Sequence, residues 1–113
     1  MATAEITVIG LGGTDTGGAS RYIARFMQYL ESQDQVSYQL QGMGTNLEGS
    51  LEDILTVLRT FHQLAFEFGL PRVYSVLKVD ERRDVPGQTL TDKVDAVQRE
   101  LESLAGGMQE AER

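Results

Sequence analysis

The sequence lacks cysteine and tryptophan altogether, and it has one histidine and two prolines among its 113 residues. Without cysteine the chain cannot form a disulfide, use a thiolate nucleophile or build a cysteine-ligated metal site. The single histidine, His62, excludes a cluster of histidine ligands in the same way. No apolar run approaches the roughly 18–20 residues that a membrane-spanning helix needs. We therefore expect no metal site of these kinds and no membrane as a partner.

Basic residues are also scarce: ten Lys and Arg stand against seventeen Asp and Glu, which gives a net charge of −7 and a pI near 4.6. Proteins that bind the nucleic-acid backbone need a basic surface, so we expect no nucleic-acid partner. An acidic surface instead attracts a cationic small molecule. The first five residues carry neither the basic start nor the apolar stretch of a secretory signal, and we expect a cytoplasmic protein.

The length suits a single domain, and the composition is ordinary for a globular protein, with 41% hydrophobic and 24% charged residues. The last periodic segment meets two adjacent glycines, Gly106 and Gly107, which predict the end of a helix. We therefore expect one domain over residues 1–107 and a disordered tail over 108–113.

The first half of the chain alternates between strand-like and helix-like patterns. β-branched residues over 5–11 predict a strand, a glycine-rich loop follows over 12–18, and apolar residues at helical spacing predict an amphipathic helix over 20–31. Alternation over 36–43 predicts a half-buried strand. Residues 45–49 predict a short second strand, and the turn signal before it joins the two strands into a hairpin.

The second half contains two further helices and one strand. Ser50 is placed to cap a helix that ends at Gly69, residues 73–79 predict a strand, and Thr91 is placed to cap the last helix. The order β-α-β-β-α-β followed by a helix predicts an α+β fold. Specifically, we expect a ferredoxin-like βαββαβ sandwich, in which a four-stranded antiparallel sheet has two helices on one face, plus a C-terminal helix.

Such a fold leaves one face of the sheet open. Strand alternation puts seven residues of mixed polarity on this face: Tyr74, Val76, Lys78, Asp80, Gln39, Gln41 and Met43. A mixed face of this kind is typical of a wet subunit interface or of a ligand pocket within one.

Several motifs leave a structural and a functional interpretation open. The glycine-rich loop has no lysine after Gly18 and has Asp15 in place of a third glycine, so it fits neither a P-loop nor a dinucleotide fingerprint. It is either a flexible turn or a ligand contact. Glu48 is either an exposed residue at a strand end or a carboxylate that binds an amino-heterocycle, with Thr45 supplying a hydroxyl.

Two further features are equally open. Lys78, Asp80 and Arg82 share one side of a regular strand, where they either form a solvated charge ladder that protects a sheet edge or line a pocket. His62 is a lone histidine beside an apolar stripe, and the sequence places no nucleophile next to it.

Three segments, in this order and spacing, resemble one known family. They are Ile6-Thr7-Val8-Ile9 with the loop that follows, the Met-Gly-Thr-x-x-Glu-Gly pattern that begins at Met43, and the Lys-x-Asp-x-Arg-Arg-Asp pattern that begins at Lys78. Together they are similar to the thiamine-binding protein family (the YkoF-like group of small proteins) over residues 5–104.

This resemblance implies a ferredoxin-like fold, self-association through sheet faces to a dimer or homotetramer, and binding of thiamine or its hydroxymethylpyrimidine moiety without catalysis and without a cofactor. It carries over five ligand-binding residues: Thr45, Glu48, Lys78, Asp80 and Arg82. Met43 is the sixth residue of the predicted site, since its side chain can make a soft apolar contact with a ring. Lys78 and Arg82 either bind the ligand or hold the interface together by pairing with acids. In our hypothesis Glu48 or Asp80 binds the aminopyrimidine and Thr45 orients it. The alternative is a homo-oligomeric structural or regulatory module with no small-molecule ligand. An enzyme acting on a phosphorylated substrate ranks last because the sequence offers no credible nucleophile.

Overall fold

The computed structural model describes residues 1–13 and 18–111, with side chains up to Gly107. Most of the glycine-rich loop, residues 14–17, therefore lies outside the described residues. The elements in chain order are β1 (Ala2–Leu11), α1 (Ala19–Glu31), β2 (Ser37–Gln41), β3 (Gly44–Gly49), α2 (Leu51–Phe68), β4 (Arg72–Glu81) and α3 (Leu90–Ala111).

The four strands form one antiparallel sheet in the order β2-β3-β1-β4. The prediction of an α+β fold with a four-stranded antiparallel sheet is therefore confirmed. β4 pairs with β1 over its full length, and Thr3 of β1 lies between Glu48 of β3 and Asp80 of β4 in one row across the sheet. The two edges of the sheet are β2 and β4.

The core lies between the sheet and the two helices α1 and α2. Residues of even number in β1, among them Ile6 and Val8, point into it, and the rings of Phe26 in α1 and Phe61 in α2 stack at 4.3 Å between centroids. The predicted caps of α2 are confirmed. Ser50 Oγ accepts a hydrogen bond from the Asp53 backbone N–H at 3.0 Å, and Gly69 ends the helix at φ 107°, a left-handed conformation that favours glycine.

The hairpin strand β2 is shorter and more exposed than its pattern predicted. All five of its residues are exposed, and Leu40, on the side of the sheet that the helices cover, is 51% exposed. The apolar positions of β2 lie at an edge that the two helices leave uncovered. Val36 is buried, but it precedes the strand and is held in a turn by two hydrogen bonds with the Gln33 side chain, each 2.9 Å long. The predicted strand is therefore confirmed over Ser37–Gln41, whereas its predicted half-burial is wrong.

The last helix differs from its prediction at both ends. The helix is capped by Thr89 and not by Thr91. The Thr89 hydroxyl accepts a hydrogen bond from the Asp92 backbone N–H at 3.1 Å, and the Asp92 carboxylate accepts one from the Thr89 backbone N–H at 2.9 Å. These two reciprocal hydrogen bonds form a capping box. At the other end α3 continues past Gly106 and Gly107 to Ala111, because a glycine inside a helix costs only about 1 kcal/mol. The last two residues of the predicted tail lie outside the described residues.

Most of α3 projects away from the rest of the molecule, whose longest dimension is 63 Å. Four apolar side chains at helical spacing form a stripe along it, and each is more than half exposed: Val94, Val97, Leu101 and Leu104. α3 meets the sheet mainly through its first turns, which lie over the open face.

Candidate functional site

Three of the predicted site residues, Glu48, Lys78 and Asp80, lie on the open face of the sheet. Glu48 Oε1 accepts a hydrogen bond from the backbone N–H of Leu90 at 2.8 Å. This N–H is one of the donors that the first turn of a helix leaves without an intrahelical partner. Glu48 therefore fixes the beginning of α3 on the sheet, a structural role that the sequence pattern did not indicate.

Asp80 joins the same helix to the sheet. Lys93 Nζ of α3 donates to Asp80 Oδ2 at 2.7 Å and to the Thr3 hydroxyl at 2.8 Å. Lys93 was missed by the sequence analysis. A signal was present, because a cation in the first turn of a helix opposes the helix dipole and implies an acidic partner nearby. We call this cluster the α3 clasp, and it consists of Glu48, Asp80, Lys93 and Thr3.

Lys78 and Arg82 lie farther from this cluster. Lys78 forms an exposed ion pair with Glu5 on the neighbouring strand, at 3.7 Å. Arg82 follows the end of β4, so the regular alternation that would align it with Asp80 has stopped there. Its guanidinium donates to both oxygens of Asp84, with Nε at 2.9 Å from Oδ1 and Nη2 at 2.5 Å from Oδ2. This hydrogen bonding lowers the pKa of Asp84 to about 2 and raises the pKa of Arg82.

A broad cavity of about 740 Å³, which we call the open-face cavity, lies between the sheet and the first turns of α3. Carboxylates, amides and a hydroxyl of the sheet line one side, and the lining includes Glu5, Ser37, Gln39, Gln41, Asn46 and Glu48. Leu90, Thr91 and Val94 of α3 line the other side. The cavity is wide and of mixed polarity, and Glu48 at its wall is already hydrogen-bonded within the chain.

Thr45 lies on the opposite face of the sheet from Glu48. It is 5% exposed and points to the helix-covered side, as does its neighbour on β1, Ile6. Thr45 and Glu48 are three residues apart, and side chains an odd number of residues apart in a strand point to opposite faces. The structure therefore does not bring these two predicted residues together, and Thr45 cannot orient a ring that Glu48 holds.

A smaller cavity of about 290 Å³, which we call the inner cavity, opens on the helix-covered side next to Thr45. Its wall is mainly apolar and includes the aromatic rings of Tyr22, Phe26 and Phe61. The Tyr22 hydroxyl accepts a hydrogen bond from the Gly10 N–H at 3.1 Å, and its ring meets Phe26 edge-on at 5.7 Å. The inner cavity combines apolar and aromatic surface with three hydroxyl-bearing side chains, Thr7, Tyr22 and Thr45.

Met43 lies between the two cavities, at the turn of the β2–β3 hairpin. Its side chain is 85% exposed and contributes to the lining of both cavities, together with Gln41 and Gly42. The Met43 carbonyl accepts a hydrogen bond from the Thr7 hydroxyl at 2.8 Å, which fixes the turn against β1. Of the six predicted site residues, the inner cavity therefore brings together Met43 and Thr45.

His62 has a hydroxyl partner that the sequence did not reveal. Its Nε2 lies 2.7 Å from the Ser75 Oγ across the α2–β4 interface, and its ring is 6.5 Å from that of Phe66. The register of β4 under α2 creates this pair, which no local pattern predicts. Over residues 1–13 and 18–107, no three His, Asp or Glu side chains are grouped so that they could hold a metal ion. Among the helices described, up to the end of α3 at Ala111, none is both long and apolar enough to cross a membrane.

Comparison with known proteins gives a consistent result. The model of the family described as thiamine-binding protein matches residues 4–98. The UPF0045 protein YqgV of Bacillus subtilis is 36% identical over 105 residues, which cover 90% of this chain and 99% of that protein. A UPF0045 protein of Methanothermobacter thermautotrophicus is 38% identical over 102 residues, which cover 89% and 100%.

Solved structures agree in fold. The hypothetical protein MJ1052 of Methanocaldococcus jannaschii superposes with a TM-score of 0.74 at 31% identity, over 86% of this chain and 95% of that one. A candidate thiamine biosynthesis/salvage protein of Thermotoga maritima, TM0486, has a TM-score of 0.69 at 22% identity, over 85% and 97%. With the family model matching most of its length and these relatives spanning nearly all of it, the chain belongs to the thiamine-binding protein family.

Proposed function

We propose that this protein binds thiamine or its hydroxymethylpyrimidine moiety, without converting it, in the inner cavity beside Thr45. The single observation that carries this proposal is the inner cavity itself, whose mainly apolar wall includes three aromatic side chains and adjoins the buried Thr45. Membership of the thiamine-binding family supports the ligand, and the description of TM0486 as a candidate thiamine biosynthesis/salvage protein agrees with it.

The chemistry of the inner cavity suits a single flat heterocycle. Small-molecule sites are concave and mostly apolar, with a few polar groups that fix orientation, and their volumes begin at about 300 Å³. An aminopyrimidine has two faces that pack against aromatic rings and an edge that needs donors and acceptors. Aliphatic side chains and the rings of Tyr22 and Phe26 supply apolar contacts to the faces, and the hydroxyls of Thr45 and Tyr22 supply polar contacts to the edge. The acidic chain favours a ligand that carries the thiazolium cation.

The open-face cavity suits this ligand less well. The carboxylates that the sequence analysis assigned to the aminopyrimidine, Glu48 and Asp80, hold α3 on the sheet. Lys78 and Arg82 also have partners within the chain, in Glu5 and Asp84. Each of these groups already has a partner within the chain, and a ligand that displaced such a partner would gain less free energy. We therefore assign these four residues to the structure of the open face.

Isothermal titration calorimetry with two matched variants tests the proposal. Thr45→Val keeps the shape of the buried side chain and removes the hydroxyl, whereas Glu48→Gln removes a charge on the opposite face. We expect thiamine and hydroxymethylpyrimidine to bind the native protein, Thr45→Val to weaken binding about tenfold, and Glu48→Gln to change it less than twofold. Thiazole alone should not bind.

The opposite pattern, with binding lost in Glu48→Gln and kept in Thr45→Val, would move the site to the open face. Absence of binding to any of the compounds, together with an unchanged melting temperature in their presence, would reject the ligand. Turnover of thiamine phosphate by the purified protein would contradict the absence of catalysis.

One observation favours the second candidate function, a homo-oligomeric structural or regulatory module. The apolar stripe of α3 and the apolar side chains on the open face remain exposed in the single chain, which is typical of surfaces that another subunit covers. A protein that associates and binds none of the thiamine compounds would fit this function.

The strand order β2-β3-β1-β4, combined with the βαββαβ order of elements, supports our assignment of a ferredoxin-like topology.

A further inference from the structure

Methionine supplies every sulfur atom of this chain. The sequence has no cysteine, and its four thioethers are those of Met1, Met27, Met43 and Met108. Peroxides oxidise a thioether to the sulfoxide, and dedicated reductases restore it. The sulfoxide is polar, so its formation has a consequence where the sulfur is accessible and lies against an apolar surface. The position of each sulfur therefore decides whether its oxidation changes the protein.

Met43 is the most exposed methionine among those whose side chains the structure describes. It is 85% exposed, whereas Met1 is 53% exposed and Met27 is half-buried against the core. Of these three, Met43 alone lines the inner cavity and the open-face cavity. A neutral oxidant such as hydrogen peroxide is not repelled by the net charge of −7. Met43 therefore combines access for a peroxide with a place at a cavity.

The β2–β3 turn holds Met43 at this place. The Thr7 hydroxyl donates to the Met43 carbonyl at 2.8 Å. The next residue, Gly44, lies so close to β1 that an added Cβ would be 2.8 Å from Thr7 Oγ1 and 2.9 Å from the Ile6 carbonyl oxygen. Real Cβ atoms essentially never approach so closely, so this close packing needs glycine. The backbone of the turn is thereby fixed against β1, and the thioether stays at the rim that the two cavities share.

Oxidation would change the polarity of this rim. The wall of the inner cavity is mainly apolar, and the unoxidised thioether adds a polarisable surface that makes favourable contacts with aromatic rings. A sulfoxide oxygen is a strong hydrogen-bond acceptor that loses free energy when an apolar group displaces its water. A ring that enters the inner cavity beside oxidised Met43 would lose the sulfur contact and displace that water.

We propose that Met43 is a reversible oxidation site, at which peroxides weaken the binding of a flat heterocycle in the inner cavity. A lone pair of the sulfur attacks one oxygen of hydrogen peroxide, the O–O bond breaks and an S–O bond forms. The proton of the transferred oxygen passes to the departing hydroxide, which leaves as water. The sulfur is oxidised by two electrons and the peroxide is reduced by two.

The reverse step needs a thiol-dependent methionine sulfoxide reductase. Two thiols of the reductase supply two electrons and two protons, the sulfoxide oxygen leaves as water, and the thiols form a disulfide. The effect on binding rests on the proposed function, whereas the oxidation of Met43 does not.

Peptide mass spectrometry of the full chain treated with hydrogen peroxide tests the oxidation site without any ligand. We expect Met43 to oxidise at least tenfold faster than Met27 in the folded protein, because Met27 is shielded by the core. The two rates should become equal within about twofold in urea, where both side chains are exposed. Equal rates in the folded protein would overturn the assignment of Met43 as the oxidation site.

Isothermal titration calorimetry with hydroxymethylpyrimidine tests the consequence for binding. The protein is Met108→Leu, in which residue 108 cannot oxidise, and the matched control adds Met43→Leu, which keeps the volume and removes the sulfur. We expect peroxide to raise the dissociation constant about fivefold in Met108→Leu and to change it less than twofold in the control. Treatment with a methionine sulfoxide reductase should restore the original value.

The remaining outcomes separate this proposal from the proposed function. An equal rise in both proteins would assign the effect to a residue other than Met43, and no rise in either would refute the effect of oxidation on binding. If hydroxymethylpyrimidine fails to bind the unoxidised protein, the proposed function fails, and with it the effect on binding. The oxidation rates of Met43 and Met27 still decide whether Met43 is the oxidation site.

Discussion

The α3 clasp gives the most direct test of whether Glu48 has a structural role. In Glu48→Ala the Leu90 N–H loses its acceptor, which lies 2.8 Å away in the native structure. A hydrogen bond to a charged group contributes about 1.5–3 kcal/mol, and an acid near a helix N-terminus contributes about 0.3–1 kcal/mol at a surface. Glu48 is half-buried, so solvent reduces these values. We expect a loss of about 1–2 kcal/mol in the free energy of unfolding.

Urea unfolding followed by circular dichroism at 222 nm measures this loss, and for a domain of this size it corresponds to a fall of roughly 4–10 °C in melting temperature. Glu102→Ala is the matched control, because it removes an exposed carboxylate from the same helix and should change stability by less than about 0.5 kcal/mol. Glu48→Gln keeps an acceptor and should fall between the two.

Equal stabilities for Glu48→Ala and Glu102→Ala would refute the assignment of Glu48 to the clasp. A double-mutant cycle with Lys93→Ala adds a second criterion. Both residues act on the first turns of α3, so their effects should be less than additive. Strict additivity would mean that the two contacts hold α3 independently.

Three further predictions concern other parts of the molecule. The carboxyl group of Asp84 should titrate by NMR with a pKa of about 2, and this pKa should rise towards 3.8 in Arg82→Gln. Because the pKa is lower in the folded state, the stabilisation is present above the ordinary pKa and is lost as the pH falls through 2. An unchanged titration midpoint of Asp84 in Arg82→Gln would contradict the ion pair. Phe26→Ala should lower the free energy of unfolding by about 3–5 kcal/mol in urea titration, because it removes a ring stacked on Phe61; a loss below 1 kcal/mol would mean that this stack is not part of the core. Gly69→Ala should cost about 1 kcal/mol by the same measurement because of its φ of 107°, whereas Gly87→Ala, which has open space around its Cβ position, should be neutral, and equal effects would contradict the left-handed cap.

Local patterns predicted most of the elements because each depends on residues near in sequence. The cap at Ser50 and the stop at Gly69 fix α2, and the alternation in β4 assigns its open face correctly. The same reasoning was wrong for the first residue of α3, where Thr89 and Thr91 are both plausible caps and the hydrogen bonds with Asp92 select Thr89. The burial of β2 was also wrong, since periodicity reports which side chains share a face but not whether a helix covers it.

The candidate site was less predictable than the fold. The family motifs singled out Thr45 and Glu48 together, although the parity of a strand already separates them onto opposite faces. The partners of Glu48 and Asp80 come from α3, more than ten residues away in the chain, and no local pattern links them. The inner cavity likewise needs rings from α1 and α2 over residues of β1, β2 and β3, a combination that exists only after the sandwich has assembled.

The sequence by itself determined the strands, the helices, the faces of β4 and the family, because hydrophobic periodicity, caps and short motifs are encoded within a few residues. Tertiary structure alone decided which charged side chains bind α3, which hydroxyl lies beside His62, and which strands lie at the edges of the sheet. These depend on distances between segments far apart in the chain, which are fixed only when the helices and the sheet bury their apolar faces against each other.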